Sequence, residues 1–255
     1  MKELYFQNGY FSPLKIYDIN EINKFRNKLE SAEREIGKLH YIVKTYTIMK
    51  WVYEIATNKI LLDFVEEIIG KNILLYNATF IIKEPNTKAY VSWHQDLTYW
   101  GFDNNDKQVS AWLALSKADN KSGCMQMIPG SHKNGFYNHQ STNDKNNVLL
   151  KGQTVTDINE SKVISCPLEP GEVSFHHGLT LHSSKPNISN DRRIGLNFQY
   201  ITPDMKQLKN RDDSAICVRG EDNFKNFQID KIAKNDFDYD AYENLLKLNR
   251  QYIQT

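Results

Sequence analysis

Trp93-His94-Gln95-Asp96 sets two metal-competent side chains two positions apart in this 255-residue chain. On a β-strand, residues i and i+2 face the same side, so the imidazole of His94 and the carboxylate of Asp96 converge on one point. That pairing suits a divalent metal. In a two-histidine, one-carboxylate facial triad it leaves open positions on iron(II) for other ligands. A turn or edge strand with no metal accounts for the same tripeptide equally well, because short motifs match often by chance.

A second cluster lies far along the chain: Leu181-His182-Ser183-Ser184-Lys185-Pro186-Asn187, then Asp191-Arg192-Arg193. His182 would bring the third ligand from a distant strand. Arg193 falls on the next predicted strand, and its planar guanidinium can hold a carboxylate through two parallel hydrogen bonds. The turn at Pro186-Asn187 would fold that strand back against the histidine strand. Ser184, two beyond His182, would point to the same side and reach the same carboxylate.

Around these clusters the chain changes character once. Asp18 and Glu21 have the form of a capping box. Ile19, Ile22, Phe25 and Leu29 then recur at helical spacing and predict a helix over about 19–38. Two more helices are expected over 45–57 and 59–69, with Gly70 as the stop. After Lys71 the sequence turns rich in β-branched and aromatic residues. Strands are expected over 74–83, 89–94, 108–116, 125–128, 162–166, 172–177 and 192–201, separated by turns such as Pro129-Gly130-Ser131 and Pro170-Gly171. The polar, Asn-rich stretch 134–159 reads as a long surface loop, and 237–253 as a terminal helix. Residues 3–7 are read as native, because Asn8-Gly9-Tyr10 runs on without a linker. The fold expected is mainly β with flanking helices, a jelly roll. One domain would span 1–255, with a helical part over about 1–70, a core over about 71–205 and an extension over about 206–255.

Trp93-His94-Gln95-Asp96-Leu97, Ser110-Ala111-Trp112, Gly123-Cys124-Met125, Ile128-Pro129-Gly130-Ser131-His132 and the block from His182 to Arg193 resemble, in order and spacing, the phytanoyl-CoA dioxygenase family. The resemblance covers roughly residues 5–205. It implies a double-stranded β-helix, a cupin-like jelly roll, with a metal at one open end. It implies iron(II) held by His94, Asp96 and His182, with 2-oxoglutarate and O2 as co-substrates. Arg193 and Ser184 would hold the distal carboxylate of 2-oxoglutarate. Trp112, Gln95 and Asn77 would make the remaining co-substrate contacts. Tyr99 and Trp100 would either roof the substrate pocket or serve packing alone.

The activity so implied is hydroxylation of a small organic substrate with release of succinate and CO2. Desaturation, ring closure and epimerisation stay open, since substrate placement decides among them. A halogenase on the same scaffold needs a vacant position for halide, which Asp96 fills. A non-catalytic ligand-binding jelly roll, or a zinc hydrolase, has no use for Arg193. Among the other polar residues, one of His176 and His177 would face inward, without binding metal. His132 would make a structural hydrogen bond, and His40 and His139 would lie at the surface. Arg211 and Arg219 would pair with nearby Asp212, Asp213, Glu221 or Asp222.

Composition bounds the rest. A net charge of +1 argues against a dedicated nucleic-acid binder. No apolar run reaches membrane-spanning length. The N-terminus lacks the pattern of a signal peptide. Three widely spaced cysteines, Cys124, Cys166 and Cys217, fit a reduced, cytoplasmic compartment rather than a disulfide framework. The abundance of Tyr, Phe and Trp suits a β-rich core and an aromatic-lined pocket.

Overall fold

The capping box at the head of the first long helix is formed. Asp18 Oδ1 accepts from the Asn20 and Glu21 amides at 2.8 and 2.9 Å, and Glu21 Oε2 accepts from the Asp18 amide at 3.0 Å. The computed structural model describes residues 1–149, 152–210 and 212–254. The chain opens with α1 (Lys2–Asn8) and β1 (Tyr10–Lys15), and the capped helix is α2 (Ile19–Ile36). A tight 3-10 turn (Thr45–Thr47) precedes α3 (Lys50–Ala56) and α4 (Lys59–Ile69). There follow β2 (Ile73–Lys83), β3 (Val91–His94), α5 (Leu97–Trp100), β4 (Gln108–Ala114) and β5 (Met125–Met127). Next come β6 (Gln140–Ser141), β7 (Gln153–Thr154), β8 (Ile164–Cys166), β9 (Glu172–His176), β10 (His182–Ser184) and β11 (Arg193–Ile201). The chain closes with β12 (Ser214–Arg219), β13 (Gln228–Ile229) and α6 (Tyr239–Gln254). The described residues are thus mainly β with flanking helices, as expected.

Two compact units form. The first comprises Met1–Ile22, Ile82–Trp100 and Trp112–Gly195. Within it β1 pairs antiparallel with β9, and a four-stranded sheet runs in the order β3-β10-β5-β8. β10 sits between β3 and β5, with His182 directly opposite His94 on one side and Met127 on the other. This pairing carries the functional side chains. The register slips between His182 and Ser184, where Ser184 faces Val91. The first helix was not expected. It buries Tyr5 and ends at Gly9, whose φ of +81° is open to glycine. A methyl group on Gly9 would also fall 2.4 Å from the His132 ring.

The second unit comprises Asn23–Ile81, Gly101–Ala111 and Leu196–Thr255. Here β2 pairs antiparallel with β12, and β12 pairs parallel with β13. The extension expected beyond residue 205 therefore contributes strands as well as its terminal helix. α4 is capped by Asn58, whose side chain accepts from the Ile60 and Leu61 amides, and it ends at Gly70 as the sequence suggests. The helix expected over 45–57 is broken. A 3-10 turn over Thr45–Thr47 gives way at Met49 to extended backbone, φ −131° and ψ 105°, and the helical run restarts only at Lys50.

Just before this stretch, Lys44 adopts a left-handed conformation, φ 56°, and is held by tertiary bonds. The Lys44 amide donates to Asn77 Oδ1 at 2.7 Å. Its side chain, 1% exposed, donates to the Tyr76 and Ser214 carbonyls and pairs with Asp230 at 3.2 Å and Asp213 at 3.8 Å. Asp230 also accepts from Tyr46 Oη, and Asp213 from Tyr76 Oη, each at 2.5 Å. Removing one member of a buried ionic cluster strands its partners' charges, at a cost of about 3–5 kcal/mol. Lys44→Met is therefore expected to lower the unfolding free energy by that order. An unchanged urea midpoint and slope would show that the cluster contributes nothing net.

Three further expectations are corrected. Arg219 pairs with Asp63 at 2.9 Å and Glu66 at 2.8 Å on α4, not with the acids beside it in sequence. Arg211 lies outside the described residues. His40 and His139 are half-buried rather than exposed. The loop over 134–159 contains the short antiparallel pair β6 and β7, and its residues 150 and 151 lie outside the described ones. All three cysteines are free, and no helix among the described residues is long and apolar enough to cross a membrane.

Candidate active site

His94 ends β3, and Asp96 stands just past it, in the turn into α5. The pair does not share a strand face, because the strand stops first. The turn nevertheless delivers the carboxylate to the same point. Asp96 Oδ1 lies 3.5 Å from His94 Nε2 and 3.6 Å from His182 Nε2. The two imidazole rings are 4.0 Å apart. One ligand atom from each of the three residues lies within 4.8 Å of the others.

The backbone fixes how the imidazoles point. His94 Nδ1 is 2.9 Å from the Ser92 carbonyl oxygen, and His182 Nδ1 is 2.9 Å from that of Thr180. A ring nitrogen facing a carbonyl carries the proton, so Nε2 of each ring presents its lone pair toward Asp96. Burial, reinforced by neighbouring His94, holds His182 well below the ordinary histidine range, which keeps the ligand neutral. Burial acts to raise the Asp96 carboxyl. The neighbouring histidines His182, His176 and His94 act against burial, and the group is held well below the usual carboxylate range. Two neutral nitrogens and one carboxylate oxygen, pre-oriented, fit the facial triad that iron(II) takes.

His176 was not expected to serve the metal site, and it is not part of the triad. It is buried on β9 with Nε2 3.2 Å from Asp96 Oδ2 and its ring 4.7 Å from that of His182. It therefore grips the oxygen of Asp96 that the other two histidines leave. His177 turns the other way, and its Nδ1 accepts from the Leu179 amide at 3.0 Å. Alternation within β9 could have revealed this. Glu172, Ser174 and His176 alternate with Val173 and Phe175, so polar side chains share one face of a buried strand. Loss of a residue that orients a ligand typically weakens metal binding about 10–100-fold. That loss is expected for His176→Leu in a competitive chelator titration, and wild-type affinity would show the contact to be idle.

The second cluster assembles beside the triad. Ser184 lies two along β10 from His182 and is buried. Arg193 opens β11, 2% exposed, with its guanidinium carbon 5.2 Å from the centre of the Trp112 ring. Gly195, two further on, makes room for that ring. A methyl group there would fall 1.8 Å from Trp112 Cζ2. Arg192 instead turns to Glu84, with Nε and Nη2 at 3.1 and 3.2 Å from the two carboxylate oxygens. Of the arginine pair, only Arg193 is buried beside Trp112. Lys83, which nothing in the sequence singled out, joins them: its Nζ donates to Ser184 Oγ at 2.6 Å.

Two expected co-substrate contacts are spent elsewhere. Gln95 is fully buried and braces a loop. Its Nε2 donates to the Gly135 and Leu179 carbonyls, its Oε1 accepts from the Tyr137 amide, and its own amide donates to His139 Nε2. Asn77 lies in the second unit, where it accepts from the Lys44 amide and donates to Gln199 Oε1 at 3.1 Å. Tyr99 sits on α5 with its ring 6.3 Å from that of His94. Burial and the Asp96 carboxylate push its phenol up to about 12. Trp100 ends the same helix, half-buried. His132 makes a structural contact, its Nε2 3.2 Å from the Phe6 carbonyl.

Comparison with known proteins agrees with this geometry. The chain is 25% identical over 246 residues to the peroxisomal phytanoyl-CoA dioxygenase of Homo sapiens, covering 86% of this chain and 73% of that one. It is 32% identical over 148 residues to a probable alpha-ketoglutarate-dependent hypophosphite dioxygenase of Stutzerimonas stutzeri, covering 56% of this chain and half of that one. Among solved structures, the apo form of the non-heme monooxygenase ThoJ superposes with a TM-score of 0.86 at 23% identity, over 99% of this chain and 97% of the other. The non-heme alpha-ketoglutarate-dependent carbocyclase SnoK superposes with a TM-score of 0.67 at 19% identity, over 82% and 86%. At these identities the structural likeness establishes the fold, and it is the double-stranded β-helix expected from the sequence. Residues 14–195 match the family described as phytanoyl-CoA dioxygenase (PhyH), and the chain belongs to that family.

Proposed function

We propose that this chain is an iron(II)- and 2-oxoglutarate-dependent oxygenase that hydroxylates a small organic molecule. One observation carries the reading: the pre-oriented His94–Asp96–His182 triad, with buried Ser184 two along β10 from His182 and buried Arg193 resting against Trp112. His94, Asp96 and His182 would hold the iron. When bound together with 2-oxoglutarate, the iron supplies oxidative decarboxylation to succinate and CO2 coupled to use of O2. The protein's part is to bind, orient and exclude water. Asp96 balances one charge of the metal and fills a position that a halide would need. Arg193 fixes the distal carboxylate of the co-substrate through its planar fork, and the Ser184 hydroxyl donates to the same group. The Trp112 indole walls that carboxylate from solvent and strengthens the pairing by lowering the local dielectric. Tyr99 overhangs the triad as part of the substrate pocket.

Ring closure or epimerisation is the second reading, because structures named as a carbocyclase and an epimerase share this fold. Fold does not fix chemistry. The near-neutral charge favours a small molecule over nucleic acid, and three free cysteines favour the cytoplasm. The test is a screen of small molecules with protein, iron(II) and 2-oxoglutarate mixed anaerobically, then exposed to O2 and read by mass spectrometry. Substrate-stimulated succinate with a product heavier by one oxygen atom is expected. A product two hydrogens lighter, or one of unchanged mass with an inverted centre, replaces hydroxylation by the second reading.

A further inference from the structure

In the second unit β4, β11 and β2 lie side by side in that order. The Thr202 amide donates to the Lys107 carbonyl at 3.1 Å, and the Leu115 amide to that of Ile194 at 2.9 Å. These bonds set β11 antiparallel to β4, with Gln199 opposite Ser110. Alternation then sorts the side chains. Val109, Ala111, Phe198 and Tyr200 share one face, apolar and fully buried, and Tyr200 Oη reaches the Ala56 carbonyl on α3 at 2.8 Å. The other face carries Gln108, Ser110, Asn197, Gln199, Asn77 and Thr79, none of them charged. Asn77 and Ile81, both on this face, are the residues of β2 that are not fully buried.

Hydrogen-bonding capacity is left over here. Gln108 is fully buried, and neither the oxygen nor the nitrogen of its side-chain amide has a partner. Asn197, 6% exposed, has no partner for its Oδ1. Leaving a buried amide unpaired costs stability, so this face calls for a complement. A relay fixes the role of Gln199. The Lys44 amide can only donate, and it donates to Asn77 Oδ1 at 2.7 Å. Asn77 Nδ2 must then donate to Gln199 Oε1, 3.1 Å away. Gln199 is thereby set as a donor through Nε2. A complement to these carboxamides both donates and accepts. A hydrocarbon would leave them unpaired, and a carboxylate would be buried on a face that offers no cation. Small-molecule sites fix orientation through a few such polar groups. We propose that this face binds the molecule on which the oxygenase acts, and that the group it takes is uncharged and bears hydroxyl or amide functions. This rests on the oxygenase reading above and adds the class of its substrate.

The experiment compares wild type, Gln108→Leu and Asn197→Leu as full chains free of iron and 2-oxoglutarate. Urea unfolding reads stability. Saturation-transfer NMR reads binding, with N-methylacetamide and myo-inositol as uncharged probes and hexanoate as the apolar, anionic contrast. Each substitution removes an amide that lacks a partner in the ligand-free protein, so the urea midpoint is expected to rise. Both uncharged probes should bind the wild type, and about tenfold more weakly or worse in each variant, the scale for a lost hydrogen bond. Hexanoate should not displace them. A lowered midpoint in both variants overturns the proposal, because the amides then serve the fold. So does binding of hexanoate in place of the uncharged probes, or of no probe. Should Gln108→Leu fail to fold, Asn197→Leu decides. Neither readout needs iron or 2-oxoglutarate. A wild type that binds the uncharged probes but makes no succinate with any small molecule would overturn the oxygenase reading instead, which separates the two failures.

Discussion

His182→Ala is expected to lose iron binding by well over the roughly 100-fold that marks the upper range for a residue touching only a ligand, and to lose 2-oxoglutarate turnover with it. His182 supplies one of two neutral nitrogens, and its ring is held by the Thr180 carbonyl with Nε2 toward Asp96. Nothing else in the triad can take its place. His176 is near, but its Nε2 is engaged by the outer oxygen of Asp96. Iron content after anaerobic loading and desalting measures the effect. His94→Ala should behave alike, and wild-type occupancy in both variants would remove these residues from the metal site.

The second large effect is expected at Arg193. Arg193→Lys retains a charge but loses the planar fork that matches a carboxylate. The affinity for 2-oxoglutarate should fall about 10–100-fold, the range for lost hydrogen bonds to a charged group, while iron binding survives. Arg192→Ala is the control, since that side chain turns instead to Glu84. Gly195→Ala should act in the same direction as Arg193→Lys, by displacing the indole on which the guanidinium rests. Titration of 2-oxoglutarate into manganese-loaded variants measures all three. A normal Arg193→Lys with a crippled Arg192→Ala would assign the wrong arginine.

The triad was legible because its chemistry needs particular residue types, and types are what a sequence displays. The geometry behind it was less so. The same-face rule brought His94 and Asp96 together for a reason that the structure does not use, since β3 ends at His94 and a turn places Asp96. β10 is only three residues long, too short for a period to show, and its place is set by pairing with β3 and β5. Buried cations were invisible. Lys83 precedes Glu84-Pro85 and Lys44 lies just ahead of a helical pattern, so each resembles a solvent-facing residue until its distant partners are seen. Gln95 shows a role that the sequence did not display. Its place inside the metal motif suggested a co-substrate contact, but its amide is consumed in bracing residues 135–139 and Leu179.

Labelled oxygen tests the central claim most directly. In oxidative decarboxylation of 2-oxoglutarate, one atom of O2 enters the new carboxylate of succinate, whatever then happens to the substrate. Iron(II)-loaded protein with 2-oxoglutarate under 18O2 is therefore expected to yield succinate carrying one labelled oxygen, and the His182→Ala protein should yield none above background. Succinate without label, or no succinate above that control from a protein shown to bind both iron and 2-oxoglutarate, would contradict the account.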